Sequence, residues 1–201
     1  MPAAHHNLTI PEHKTLRTDA ERQVKDELGA IARPDDRFKR ACEIVQQADL
    51  EIAAHAEERN QAAMSLWFYD GVRGLDKVLG ILPNAYNEMR RVALHGDKKE
   101  TINPGGDLKA RMTAEERREA AKKAGVEHVK DAADRLPSLS ATVSVAGARR
   151  KAAMPFLYDA TLALTEEPYG WSTSKIAEMG EDLTPAYVRN LKTRAKKRRG
   201  Y

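Results

Sequence analysis

The sequence predicts a protein built almost entirely of α-helices, on three observations. Apolar or small residues recur three to four positions apart over residues 38–56, a spacing that places them on one helix face. Thr113 stands three positions before Glu116, a capping-box pattern that begins another helix. No segment shows the sustained apolar–polar alternation of a half-buried strand. The expected fold class is therefore all-α, with Pro137 expected to stop a helix and Pro155 to kink or restart one.

Changes in composition along the chain divide it into four segments. Residues 1–33 combine histidines and prolines with polar residues, and we expect a flexible N-terminal arm there. Residues 34–95 are expected to form a first helical domain. Residues 96–110 contain the turn sequence Asn-Pro-Gly-Gly and are expected to be a Gly/Pro linker. Residues 111–201 are expected to form a second helical domain that ends in a basic tail.

The long helix expected after Pro34 carries a continuous apolar face. Its inner positions include Phe38, Ala41, Val45, Ala48, Ile52 and Ala56. Alanine dominates this face and leucine is scarce, so we interpret it as a helix that packs within the protein. A coiled-coil seam between two copies is the alternative, which makes a homodimer a candidate assembly.

Composition argues against several classes of protein. The lone Cys42 forms neither an internal disulfide nor a thiolate zinc site, and the histidines lack the spacing of metal ligands. Gly-rich phosphate loops and catalytic clusters are also missing, so we expect no enzyme activity, no cofactor and no metal. No run approaches the roughly 18 apolar residues of a membrane span. The first residues lack the apolar run of a secretory signal, so we expect a cytoplasmic protein with no membrane partner.

Residues 59–93 and 149–195 resemble each other and indicate an internal repeat. The matched positions pair Arg59 with Arg149, Met64 with Met154 and Pro83 with Pro185. Each segment continues with a short helix, a turn centred on glycine, a proline and another helix with basic residues. A shared supersecondary unit explains this order most economically.

The repeated unit has the pattern of a helix-turn-helix. In the first copy Leu75 and Leu79 face inward from a short helix, and Gly80 suits the tight turn that follows. In the second copy Ser172 is placed to cap the first helix, and Thr184 is placed to cap the second. Each second helix begins with a proline, which suits the first helical turn. The expected architecture is therefore two helical domains with one such unit each.

Segments 171–177 and 183–189 resemble the helix-turn-helix DNA-binding proteins of bacteria, especially those of actinobacteria. The first copy fits the spacing of that family at Leu75, Leu79, Gly80, Ile81, Tyr86 and Met89. The resemblance implies that the second helix of each unit enters the major groove of duplex DNA.

The outer faces of the two second helices supply the candidate DNA contacts. Those of the first unit are Asn84, Asn87, Arg90 and Arg91. Those of the second unit are Thr184, Tyr187, Arg189, Asn190, Lys192, Thr193, Arg194, Lys196, Lys197, Arg198 and Arg199. Arginine and asparagine bond guanine and adenine edges, whereas lysine suits phosphates. Residues 183–201 contain no acidic residue although the net charge of the chain is only +4, so the second unit is expected to bind DNA more tightly.

These features together predict sequence-specific binding of double-stranded DNA by a transcriptional regulator associated with the nucleoid. A replication, partition or mobile-element DNA-binding protein has the same features at this level. The rival from another class is an α-helical interaction or scaffold module. In that case the repeats merely pack, and the basic tail binds an acidic protein.

Overall fold

The computed structural model describes residues 8–97, 99, 112–181 and 183–200, and every regular element in these ranges is helical. The elements are α1 (His13–Ala30), α2 (Pro34–Ser65), a π-helical segment (Leu66–Asp70), α3 (Leu75–Leu79), α4 (Pro83–His95), α5 (Ala114–Lys123), α6 (Ala132–Thr165), α7 (Thr173–Met179) and α8 (Pro185–Arg199). The all-α class is confirmed, and α2 is the long helix expected early in the chain. The linker expected at 96–110 lies largely outside the described residues.

The chain forms two compact units, each assembled from segments that are distant in sequence. Unit 1 comprises Met1–His13 and Ala53–Ser144, whereas unit 2 comprises Lys14–Ile52 and Val145–Tyr201. The expected domains, 34–95 and 111–201, followed each other along the chain. The observed division differs because α2 and α6 each contribute one part to each unit, which local composition does not reveal.

Helix α1 belongs to the core of unit 2, so the expectation of a flexible arm over 1–33 is wrong for residues 13–30. Val24 and Leu28, one helical turn apart, are buried in the same cluster as Phe38 of α2. Arg40 of α2 also pairs with Glu27 of α1. Burial of an apolar stripe with a four-residue spacing stabilises this helix despite its polar surroundings.

The first part of the apolar face of α2 packs inside unit 2. Its buried residues are Phe38, Ala41, Val45 and Ala48, with exposed fractions of 0 to 7%. In the same unit, Arg149 Nη1 donates to Glu51 Oε1 at 3.0 Å and Arg150 Nε donates to Asp49 Oδ1 at 2.6 Å. The apolar side chains over 38–48 are therefore occupied within one chain and do not form a free coiled-coil seam.

Unit 1 has a separate core. Its fully buried large side chains are Leu66, Phe68, Leu75, Leu79 and Leu136. Two hydrogen bonds fix the chain around this core. The Tyr69 hydroxyl donates to Val126 O, and the N–H of Val129 donates to Ser65 Oγ, both at 2.8 Å. These bonds join the end of α2 and the π-helical segment to the chain after α5 within one unit.

Local signals marked some helix boundaries and misplaced others. The capping box that begins α5 is confirmed, because Glu116 N–H donates to Thr113 Oγ1 at 3.2 Å and Thr113 N–H donates to Glu116 Oε2 at 2.6 Å. Pro137 and Pro155, by contrast, both lie within the continuous helix α6. An interior proline costs about 3 kcal/mol of helix stability. The burial of Leu157 and of its neighbouring alanines in the core of unit 2 offsets this cost.

Cys42 provides a probe of the unit 2 core. Burial raises the pKa of its thiol from 9.0 to about 12. We therefore expect native Cys42 to have a thiolate fraction about a thousandfold below that of the unfolded chain at pH 8, and to react correspondingly slowly with an aromatic disulfide reagent. Absorbance after mixing, with and without denaturant, measures both rates.

The same shift has a consequence for stability at high pH. The unfolded thiol loses its proton first, so the free energy of unfolding falls as pH rises from about 9 towards 12. Cys42→Ala should remove this component of the pH dependence. Fast labelling of the native protein at pH 8 would contradict the assignment of Cys42 to a closed core.

Candidate nucleic-acid interface

Helices α7 and α8 of unit 2 form a closely packed pair. The predicted caps are confirmed, since Ser172 Oγ accepts from Lys175 N–H at 3.2 Å and Thr184 Oγ1 accepts from Tyr187 N–H at 3.1 Å. The turn between the helices packs closely around Gly180. A Cβ on Gly180 would lie 2.5 Å from Cδ1 of Leu183 and 3.1 Å from Cε1 of Phe38. Capping and close packing thus fix where α8 begins.

The inner face of α8 anchors the helix in the core of unit 2. Val188, Leu191 and Ala195 are buried, together with Ile176 and Ala177 of α7. The opposite face is exposed and polar. Its exposed predicted contacts are Arg189, Asn190, Thr193, Arg194, Lys196, Lys197, Arg198 and Arg199. Helix α8 contains no acidic residue, and its cations run from Arg189 to Arg199.

Three of these cations have partners within unit 2. Arg194 Nη1 donates to the Tyr158 hydroxyl at 3.2 Å, which raises the pKa of Arg194. Arg198 and Arg199 both approach Asp159 of α6, with N···O distances of 3.8 and 3.5 Å. Helix α8 extends to Arg199. The guanidinium groups of Arg198 and Arg199 in its last turn share the carboxylate of Asp159. Sequence alone did not indicate this carboxylate, because nothing local pairs residue 159 with residues 198 and 199.

Some predicted contacts on this unit serve the fold. Tyr187 was expected to face outward, but its half-buried ring packs on the core of unit 2, and burial raises the pKa of its hydroxyl. Thr184 caps α8, and Thr193 Oγ1 donates to Arg189 O at 3.0 Å within the helix. Lys192 is half-buried.

Helices α3 and α4 of unit 1 follow the same order but present a different surface. Helix α3 spans only five residues, all of whose leucine and valine side chains are buried. Gly80 then adopts a φ of 64°, a left-handed conformation that suits glycine. Tyr86 of α4 is buried and anchors the second helix. The turn prediction is confirmed, although α3 is little more than one helical turn.

Arg90, a predicted DNA contact of unit 1, is held inside that unit. Its guanidinium carbon lies 4.8 Å from the ring centroid of Trp67 and 4.9 Å from that of Tyr86. The group also donates to Asn87 Oδ1, so two predicted contacts bind each other. Burial lowers the pKa of Arg90. With Arg91 half-buried as well, Asn84 is the one predicted contact of this unit that is exposed.

The described ranges contain neither a group of metal ligands nor a membrane-spanning helix. Within them, no group of three or more His, Cys, Asp or Glu side chains is arranged to hold a metal ion. No helix there has the length and apolar character needed to cross a membrane. Comparison of the chain with family models, curated proteins and solved structures finds no match. The candidate interface is therefore defined by the charge and exposure of α8.

The position of Arg90 predicts a structural role. Arg90→Ala should lower the free energy of unfolding by about 1–2 kcal/mol, because it removes two cation–π contacts and the packing of the side-chain stem. Exposed Asn84 is the matched control on the same helix. Asn84→Ala should change stability by no more than about 0.5 kcal/mol. Urea denaturation followed by circular dichroism measures both, and equal effects would contradict the assignment.

Proposed function

We propose that the protein binds double-stranded DNA through the exposed face of α8, as a transcriptional regulator associated with the cytoplasmic nucleoid. The observation that carries this proposal is a cationic helix that is anchored on one side and free of acidic residues on the other. Replication, partition and mobile-element proteins would use such a surface in the same way. No catalytic role is proposed.

The spacing along α8 supports insertion of this helix into a groove. Six of its exposed residues form a stripe with three- and four-residue spacing, at Ala186, Arg189, Asn190, Thr193, Lys196 and Lys197. This stripe is about 16 Å long at 1.5 Å per residue, and the helix diameter of about 10–12 Å matches the major-groove width of about 12 Å. The small side chain of Ala186 permits close approach near the start of the helix. An α-helix with these properties suits the major groove.

Different parts of the stripe suit different contacts. Arg189 and Asn190 carry the donor geometry that pairs with guanine and adenine edges. Lys196 and Lys197, one turn from the end of the helix, suit phosphate oxygens, which carry no sequence information. An acidic protein partner would also be attracted by the charge, but it would not require the bidentate groups at 189 and 190.

The proposal predicts different losses for two double variants. Arg189→Ala with Asn190→Ala should weaken a duplex selected from a random pool by about tenfold or more, and a scrambled duplex by less. Lys196→Ala with Lys197→Ala should weaken both duplexes alike. It should also reduce the slope of log affinity against log salt by about 1.8, at about 0.9 per phosphate contact. Fluorescence anisotropy over a salt series measures these quantities.

The matched control removes the same charge from another surface. Lys122 and Lys123 are exposed in the last turn of α5 in unit 1. Lys122→Ala with Lys123→Ala should leave the selected duplex bound almost as tightly as by the wild type. An equal loss from this control would identify diffuse charge attraction and contradict an interface on α8. Failure of the wild type to select any duplex, together with salt-dependent binding of polyglutamate, would favour the acidic-partner rival.

The pairing of Asp159 predicts a variant that binds DNA more tightly. Asp159→Asn should release Arg199 for phosphate contacts and leave Arg198 bonded only to Pro155 O. It should thereby raise affinity for any duplex by about twofold to fivefold at low salt. Asp26→Asn, an exposed change on α1 of the same unit, makes the same change in net charge. The comparison isolates the local pairing. Equal gains from the two variants would show that only net charge matters.

A further inference from the structure

Unit 1 contains an open groove that the proposed DNA interface does not use. Its volume is about 970 Å³, and α2, α4 and the segment after α5 line it. The floor is apolar, with Met64, Met89 and Val126. Val92, at the edge, is 49% exposed, which is high for a valine beside an apolar surface. The groove lies entirely within unit 1.

The two long walls have the spacing of helix-packing faces. The α2 wall consists of Ala53, Ala56, Glu57, Asn60, Gln61 and Met64, and the α4 wall consists of Ala85, Glu88, Met89, Val92 and Ala93. Both recur at three- and four-residue intervals, as a helix does when it receives another helix. The alanines permit close approach. The α2 wall extends about 16 Å, or three helical turns, at 1.5 Å per residue.

The charge at the edges of the groove has one sign. Glu57, Glu88 and Glu127 contribute carboxylates from the three bordering segments, and no lysine or arginine is among the described residues that line it. Gln61 Nε2 donates to Glu57 Oε1 at 3.2 Å. Within the described residues, Glu88 and Glu127 carry no ion pair. An occupant that complements this groove therefore combines an apolar face with basic flanks.

We propose that this groove binds a basic amphipathic helix of a partner protein. The helical spacing of both walls and their length favour a helix over a small organic cation, because small ligands bind in pockets that enclose most of their surface. The proposal is independent of DNA binding, since it uses unit 1 and none of the residues of α8. It gives the protein a second surface, which recognises protein rather than nucleic acid.

A designed peptide tests the proposal directly. The probe is a fluorescein-labelled amphipathic helix of about 18 residues, with leucine and alanine on one face and lysine on both flanks. The 201-residue chain should bind it at least about tenfold more tightly than the same peptide with glutamate in place of lysine. Anisotropy titration measures both. Equal binding of the two peptides would overturn the charge complementarity on which the proposal rests.

Variants with matched controls place the binding in the groove. Val92→Arg and Glu88→Lys should each weaken the lysine peptide by about tenfold. Leu82→Arg and Glu119→Lys introduce the same charged residues at exposed positions outside the groove. They should alter affinity less than about twofold. Circular dichroism confirms that each variant is folded. Unchanged binding by Val92→Arg would overturn the site.

Two other occupants of the groove would each give a different experimental result. If a second copy fills the groove, light scattering will show a wild-type dimer that Val92→Arg dissociates. If a small organic cation fills it, tetraphenylphosphonium will bind more tightly than the peptide and displace it. Either result would overturn the proposal of a partner helix.

Discussion

Both hydrophobic cores depend on the same two long helices. Helix α2 contributes Phe38 to the core of unit 2 and Met64 to that of unit 1, and α6 contributes Leu157 and Leu136 in the same way. Each long helix must therefore present apolar side chains to one core along one part of its length and to the other core along the next part. Pro137 lies beside Leu136 of the unit 1 core, and Pro155 lies between Met154 and Leu157 of the unit 2 core, so buried neighbours hold each proline within α6. The short helices then attach to surfaces that these long helices provide.

The two helix pairs illustrate how one order of elements supports different surfaces. In unit 2, α8 buries three side chains and leaves its cations exposed, with Arg189 free of any aromatic ring contact in the described residues. In unit 1, Arg90 is drawn between Trp67 and Tyr86 and contributes to packing instead. The exposed apolar side chains Leu82 and Val92 also lie at or beside α4. We therefore propose that α8 binds nucleic acid and that the groove beside α4 binds a helix of a partner protein.

Local signals in the sequence predicted much of the helical structure. The long helix α2, the capping box at Thr113 and the caps at Ser172 and Thr184 depend on residues within a few positions of each other, and all are confirmed. Helix α1 was assigned to a flexible arm with at most a short helix over residues 20–31, because histidines and prolines dominated the composition of that segment. The inward positions of Arg90 and Tyr187 were not predictable, since outer and inner helix faces differ by one or two residues. The pairing of distant segments into each unit, and the carboxylate of Asp159 beside α8, depend on long-range contacts that no local pattern contains.

The interleaving of the two units has a consequence for biosynthesis. Unit 2 requires both α1 and α8, which lie more than 150 residues apart, whereas unit 1 requires α6 as well as α3. A nascent chain that has reached only α4 can complete neither core, so its apolar side chains await partners that the ribosome has not yet made. Contacts of such large sequence separation slow folding and prolong exposure to aggregation and chaperones. Unit 1 can therefore reach its native packing only after α6 has emerged, and unit 2 only after α8 has emerged.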